Sequence, residues 1–222
     1  MNNGTVQTDI PEIIKSLFPE GVTGIIQPID DHLSYLHPEE LRSIQAASSK
    51  RKFEFSTGRW CAKQALAVQG VNNTLILSGE NREPVWPEGF IGSISHCKDK
   101  CGAIISKNTD MQSLGFDIEN IKKLKNDISR IVCTDEEKDW IKGQKKYPYN
   151  VLVLLIFSLK EAVYKCIYPY KQIRIGFKDC TIIPNLESNY AGLNFHRDDM
   201  NPDIQLRYYI NNKHIYSSAC YQ

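Results

Sequence analysis

The chain has 222 residues, 41% of them apolar and 24% charged, with a formal net charge of +1, which is ordinary for a globular protein of one large domain or two small ones. A near-neutral balance lacks the global field that a nucleic-acid binder uses, and the longest strongly apolar run, 151–157, is too short to span a bilayer. The N-terminus lacks the basic and apolar regions of a signal peptide, so the seven cysteines read as reduced thiols of a cytoplasmic protein.

In chain order, Thr8, Asp9 and Pro11 open a short helix, and 25–29 reads as a strand. A second helix starts near Pro38, Glu39 and Glu40 and continues to Phe55, where Ser56-Thr57-Gly58 reads as an interruption. Residues 59–68 are helical again, with Gly70 as the stop. After 74–77 and a proline-bearing loop at 82–87, strands are expected at 91–95, 102–106 and 114–119. Thr134-Asp135-Glu136-Glu137 is a helix start, and that helix fades near Gly143. A long helix follows over 150–168, ended by Pro169. The tail alternates as strands at 178–183, 193–196, 204–210 and 214–220. The pattern predicts an α+β fold of two similar halves, a pseudo-dimer in one chain. Each half packs a helix on a small antiparallel sheet, and the site lies at their interface. The halves are 1–120 and 121–222, with 121–146 joining them.

Four polar signatures stand out: Gly92-Ser93-Ile94-Ser95-His96, Gly115-Phe116-Asp117-Ile118-Glu119, Phe157-Ser158-Leu159-Lys160-Glu161-Ala162-Val163-Tyr164-Lys165, and the pair Arg51 and Arg59. On a strand, Asp117 and Glu119 point to one side. On a helix, Glu161 and Lys165 share a face. Three carboxylates, a lysine, a histidine and two arginines together suit a hard cation holding a polyphosphate. Taken singly, each signature also has an ordinary reading. Asp117 and Glu119 read equally as the solvated face of a strand end, and Glu161–Lys165 as a surface ion pair. His96, Cys97 and Cys101 lack the second ligand pair of a zinc site.

Taken in order, these signatures resemble the phosphopantetheinyl transferase superfamily, in which a Gly-x-Asp-x-Glu segment precedes a (Phe/Trp)-Ser-x-Lys-Glu-x-x-x-Lys helix. The likeness extends to Arg51-Lys52-x-Glu54-Phe55-x-x-Gly58-Arg59 and to Arg82-Glu83-Pro84-x-Trp86-Pro87. It is nearest the single-chain Sfp type with the enterobactin synthase transferase, and it covers 50–165. The resemblance implies transfer of 4′-phosphopantetheine from coenzyme A to a serine of an apo carrier protein, releasing adenosine 3′,5′-bisphosphate. It implies magnesium, or manganese, on Asp117, Glu119 and Glu161, with Glu161 as general base and Lys165 on a phosphate oxygen. Arg51, Arg59 and Arg82 would hold the nucleotide and its phosphates, and Ser95, His96 and Lys160 further phosphate oxygens. Carrier domains of a nonribosomal peptide synthetase, of the catecholate-siderophore kind, are the implied partners, and a monomer is the expected state.

The basic stretch Lys122, Lys123, Lys125, Arg130, Lys138, Lys142, Lys145 and Lys146, interleaved with Ile128, Ile131 and Trp140, reads either as a docking stripe for acidic carriers or as a solvated helix. Two other function classes compete. A non-catalytic coenzyme A or carrier-binding module could dispense with Glu161 and Lys165. A magnesium-dependent phosphohydrolase acting on coenzyme A or nucleotides could use the same acids.

Overall fold

The computed structural model describes residues 12–121, 127–197, 200 and 202–222. The expected helix start at Thr8, Asp9 and Pro11 lies outside them, as do Lys122, Lys123 and Lys125 of the basic stretch. In chain order the first elements are α1 (Glu12–Leu17), β1 (Thr23–Pro28), a 3-10 turn at Leu33–Tyr35, α2 (Pro38–Ser43), α3 (Ser49–Val68), β2 (Phe90–His96) and β3 (Lys100–Lys107). Next come β4 (Ser113–Asn120), α4 (Ser129–Val132), α5 (Asp135–Gly143), α6 (Tyr149–Lys171), β5 (Cys180–Asn185), β6 (Tyr190–Phe195), β7 (Ile204–Ile210) and β8 (His214–Tyr221).

The strands form two antiparallel sheets, ordered β1-β3-β2 and β4-β8-β7-β6-β5. In each, the first strand pairs with the last, and the last pairs with the strand before it. A long helix follows the first strand in both, α3 after β1 and α6 after β4. The halves therefore share one topology, and the β5–β6 hairpin extends the second. The change of sheet falls between Lys107 and Ser113, upstream of the expected join after residue 120, because β4 pairs with β8 along its whole length.

The halves meet where β4 runs beside β2. The backbone N–H groups of Phe116 and Ile118 donate to the hydroxyls of Ser93 (3.1 Å) and Ser95 (3.2 Å). These serine hydroxyls stand in for a carbonyl ladder and satisfy donors that would otherwise be buried unpaired. One apolar cluster spans the seam, with Ile14, Leu17 and Phe18 packed on Ile104, Phe116, Ile118 and Tyr216.

Three local expectations are corrected. The helix starting at Pro38 stops at Ser43, and a new one starts at Ser49, whose N-cap Ser48 accepts from the Arg51 N–H at 3.3 Å. The interruption at 56–58 does not occur. Thr57 Oγ1 donates to the Asp30 carbonyl (2.8 Å) and accepts its N–H (3.0 Å), while Ser56 Oγ accepts from the His32 N–H (3.3 Å). The polar side chains that signal a break instead dock the 30–32 loop on an unbroken α3. Helix α6 continues past Pro169 to Lys171 and ends at Gln172, which has φ +56° and donates to the Tyr168 carbonyl at 2.8 Å. A proline in the last turn removes a single helix hydrogen bond.

Gly115 fixes how closely α6 lies on β4. A Cβ there would stand 1.9 Å from the Ala162 carbonyl oxygen. Only a bare backbone lets the helix settle against the strand that carries Asp117 and Glu119.

Candidate active site

Between the halves lies a cleft of about 670 Å³, walled by α3, the 78–84 loop, the end of β2, β4 and α6. The strand alternation that buries Phe116 and Ile118 in the shared core turns Asp117 and Glu119 to this cleft. The helical spacing of α6 brings Glu161 and Lys165 to it from the other side. Arg51, Arg59, Arg82, Ser95 and His96 line it as well.

Asp117 is 3% exposed and fully held. Its Oδ1 accepts from Ser95 Oγ (2.9 Å) and from Lys165 Nζ (2.8 Å), and its Oδ2 accepts from Ser158 Oγ (2.8 Å). Lys165 also donates to Ser95 Oγ (3.0 Å) and to the Phe116 carbonyl (3.2 Å). This network joins β2, β4 and α6 at a single carboxylate. Ser158, which belongs to it, received no role from sequence reasoning, although it shares the polar face of Glu161 and Lys165.

Burial pushes the Glu161 carboxyl up from its ordinary value, and Asp117 adds to the shift while Lys165 opposes it. A half-buried acid raised in this way accepts protons readily. Burial pulls the His96 ring down; Arg51 and Lys165 lower it further, and Glu54 and Asp117 oppose. The ring is therefore neutral near neutral pH, with its Nε2 3.1 Å from Arg51 Nη1. Glu54, also unassigned from sequence, pairs with Arg51 at 3.7 Å from the next turn of α3. Its position three residues after Arg51 was the available signal.

Arg59 lines the cleft, yet Nε donates to the Ile76 carbonyl (2.8 Å) and Nη2 to the Leu77 carbonyl (3.3 Å) and Ser78 Oγ (3.1 Å). Its guanidinium shapes the 76–78 wall. Arg82 sits on the facing loop with φ +69°. Lys160 is a correction: it does not line this cleft. Its Nζ is buried, 2.8 Å from Glu137 Oε2 and 2.9 Å from the Val132 carbonyl, because a residue one step before Glu161 turns about 100° around the helix.

Asp117, Glu119 and Glu161 offer only oxygen donors, the set a hard divalent cation takes. The upward push of Asp117 on Glu161 is a repulsion that a cation would relieve. The residues present fit such an ion. Their oxygens are not gathered within 4.8 Å of one another, and Lys165 is the cation on Asp117.

Of the basic stretch, Lys138 and Lys142 pair with Asp135 and Asp139, each at 2.8 Å, and Lys146 donates to the Leu186 carbonyl. Trp140 packs on the apolar cluster that α6 forms with β5, β7 and β8, whereas Ile131 is 67% exposed. Among the described residues, no helix is long and apolar enough to cross a membrane.

The chain matches known families over both halves. Residues 38–106 match the family model of the 4′-phosphopantetheinyl transferase N-terminal domain, and residues 113–215 match that of the 4′-phosphopantetheinyl transferase superfamily. The seam between the two matches coincides with the change of sheet. Among relatives, 4′-phosphopantetheinyl transferase Npt of Nocardia iowensis is 30% identical over 181 residues, which is 81% of this chain and 80% of that one. The chain belongs to the 4′-phosphopantetheinyl transferase family.

Two further relatives are 4′-phosphopantetheinyl transferase Svp of Streptomyces mobaraensis, 34% identical over 69% of this chain, and enterobactin synthase component D of Salmonella typhimurium, 37% identical over 68% of it. The matched stretches span 63% and 58% of those two proteins. The solved holo-[acyl-carrier-protein] synthase of Thermotoga maritima aligns with a TM-score of 0.43 at 14% identity, over 50% of this chain and 64% of that one, too loosely to carry an argument.

Proposed function

We propose that the protein transfers 4′-phosphopantetheine from coenzyme A to a serine of apo carrier domains, releasing adenosine 3′,5′-bisphosphate. The observation that carries this reading is the cleft in which Asp117 and Glu119 from β4 and Glu161 and Lys165 from α6 face His96 and Arg51. Acids, a base and fixed cations there surround a space suited to a diphosphate and an incoming hydroxyl.

Asp117, Glu119 and Glu161 would hold magnesium, which when bound neutralises the diphosphate and acts as a Lewis acid. Glu161 accepts the proton of the carrier serine as its oxygen attacks the pantetheine-bearing phosphorus. A placed base contributes about 10²–10⁴-fold. Lys165 reaches a phosphate oxygen by exchanging its 3.2 Å contact with the Phe116 carbonyl, the longest of its three. Arg51 presents its guanidinium from the first turn of α3 to the nucleotide's phosphate, with Glu54 and neutral His96 fixing its direction. Arg82 adds donors from the facing loop, and Ser95, whose hydroxyl donates to Asp117, holds that carboxylate in place. Arg59 acts by holding the wall that receives the nucleotide. Lys160 takes no part in binding.

The similarity to enterobactin synthase component D points to carrier domains of nonribosomal peptide synthetases as substrates. A chain that contains both halves of the cleft works as a monomer. The seven cysteines are free and buried, as in a reducing cytoplasm.

The test is to incubate the protein with magnesium, coenzyme A and an apo carrier domain. Intact-mass measurement of the carrier is expected to show the phosphopantetheine increment. Release of free phosphate, or cleavage of coenzyme A with the carrier unmodified, would favour a phosphohydrolase instead.

A further inference from the structure

Away from the cleft, the turn between β2 and β3 carries a second cluster. Cys97 and Asp99 flank Lys98 in this turn, which the Cys97 N–H closes on the Lys100 carbonyl at 2.9 Å. His214 opens β8 in the other sheet, and its N–H is held by Asn211 Oδ1 at 2.8 Å. His214 Nε2 lies 3.1 Å from Asp99 Oδ1, and Cys97 Sγ lies 3.4 Å from the same oxygen. Among the described residues, these three are the group of histidine, cysteine and acidic side chains whose ligand atoms all fall within 4.8 Å of one another. The thiol and the ring are buried, and the carboxylate closes the cluster from the surface.

We propose that Cys97, Asp99 and His214 bind a borderline divalent cation of the zinc class, which ties the β2–β3 turn of the first half to β8 of the second. The donors are one sulfur, one nitrogen and one oxygen, the mixture that zinc accepts and magnesium does not. With bonds of about 2.0–2.3 Å, a tetrahedral ion sets its ligands about 3.3–3.8 Å apart, near the spacings already present. A thiolate and a carboxylate balance the ion's two charges, and the thiol proton leaves to solvent as the bond forms.

Asn120 Nδ2 donates to Asp99 Oδ1 at 2.9 Å, so its amide orients the carboxylate. Water takes the fourth position. This ion is separate from any held by the cleft carboxylates, but it acts beside them. Cys97 follows His96 and Asn120 follows Glu119, so the ion braces the two strand ends that carry cleft residues.

The test is a cobalt titration of the metal-stripped, full-length protein in excess magnesium, which keeps the cleft acids occupied. One equivalent of cobalt is expected to bind with a thiolate-to-cobalt charge-transfer band, and one equivalent of zinc to displace it. Cys97→Ser is expected to lose the band while keeping its far-ultraviolet circular dichroism. Asp99→Asn and His214→Gln are expected to raise the dissociation constant at least tenfold. Absence of the band in the wild-type protein overturns the proposal, as does a band that survives Cys97→Ser. If Cys97→Ser does not fold, an unchanged dissociation constant in both other variants overturns it equally.

Discussion

Asp117 is gripped by two serines and an ammonium, whereas Glu161 sits half-buried and pays for its charge in lost hydration. That contrast assigns them different duties: Asp117 is fixed, and Glu161 is reactive. Asp117→Ala and Glu161→Gln are both expected to abolish carrier modification. Glu161→Gln is also expected to keep or raise the thermal midpoint near neutral pH, since a neutral amide avoids the desolvation cost. The sign of the pH dependence follows from the raised carboxyl. The folded state holds the proton more tightly than the unfolded one, so this group's contribution is complete below the ordinary carboxylate pKa of about 4.3 and falls as pH rises through the raised value. The advantage of Glu161→Gln should therefore vanish in acid and grow towards neutrality. Urea melts at several pH values check this, and a variant that is less stable than wild type at neutral pH would contradict it. The spacings of Asp117–Glu119 and Glu161–Lys165 were legible in the sequence because strand and helix periods dictate which side chains share a face. Lys160 was misassigned because its partner, Glu137, arrives from α5 by a tertiary route that no local spacing announces.

At the scale of elements, α5 is fastened to α6 by that pair. Glu137 caps its own helix through the Thr134 N–H (2.7 Å), accepts the Ile182 N–H (2.7 Å) and receives Lys160 in a dry interior. Lys160→Met strands a buried carboxylate and is expected to destabilise the protein by about 3–5 kcal/mol in urea unfolding. Adding Glu137→Gln should recover part of that loss. A Lys160→Met protein of wild-type stability would show that the pair carries little. Gly115→Ala forces a methyl group into the Ala162 carbonyl, 1.9 Å away on the existing backbone. Overpacking of this kind costs about 1–3 kcal/mol or more. Because it lifts Glu161 and Lys165 away from Asp117, activity should fall more steeply than stability, a split read by comparing carrier modification with the thermal midpoint. One helix feature reads differently in the sequence and in the structure. Ser56, Thr57 and Gly58 look like a break, yet they are contact residues: the two hydroxyls dock the 30–32 loop, and a Cβ at 58 would stand 2.9 Å from Ile94 Cγ2. Polar and small residues inside a helix signal either a stop or a close neighbour, and only tertiary structure separates the two.

For the whole molecule, one chain supplies both walls of its cleft by using a topology twice. The alternation of long helices with short strands made that duplication legible. The pairing of β4 with β8, which moves the change of sheet ahead of residue 113, depended on contacts about a hundred residues apart in sequence and was not. The account rests on acids from β4 and α6 gathering around one divalent ion that clasps the diphosphate of coenzyme A. The most direct measurement is anomalous diffraction from crystals grown with manganese and coenzyme A. The account expects a manganese peak bounded by carboxylate oxygens of Asp117, Glu119 and Glu161, with the diphosphate beside it and Arg51 and His96 facing the nucleotide. A peak elsewhere, or coenzyme A bound outside this cleft, would contradict it.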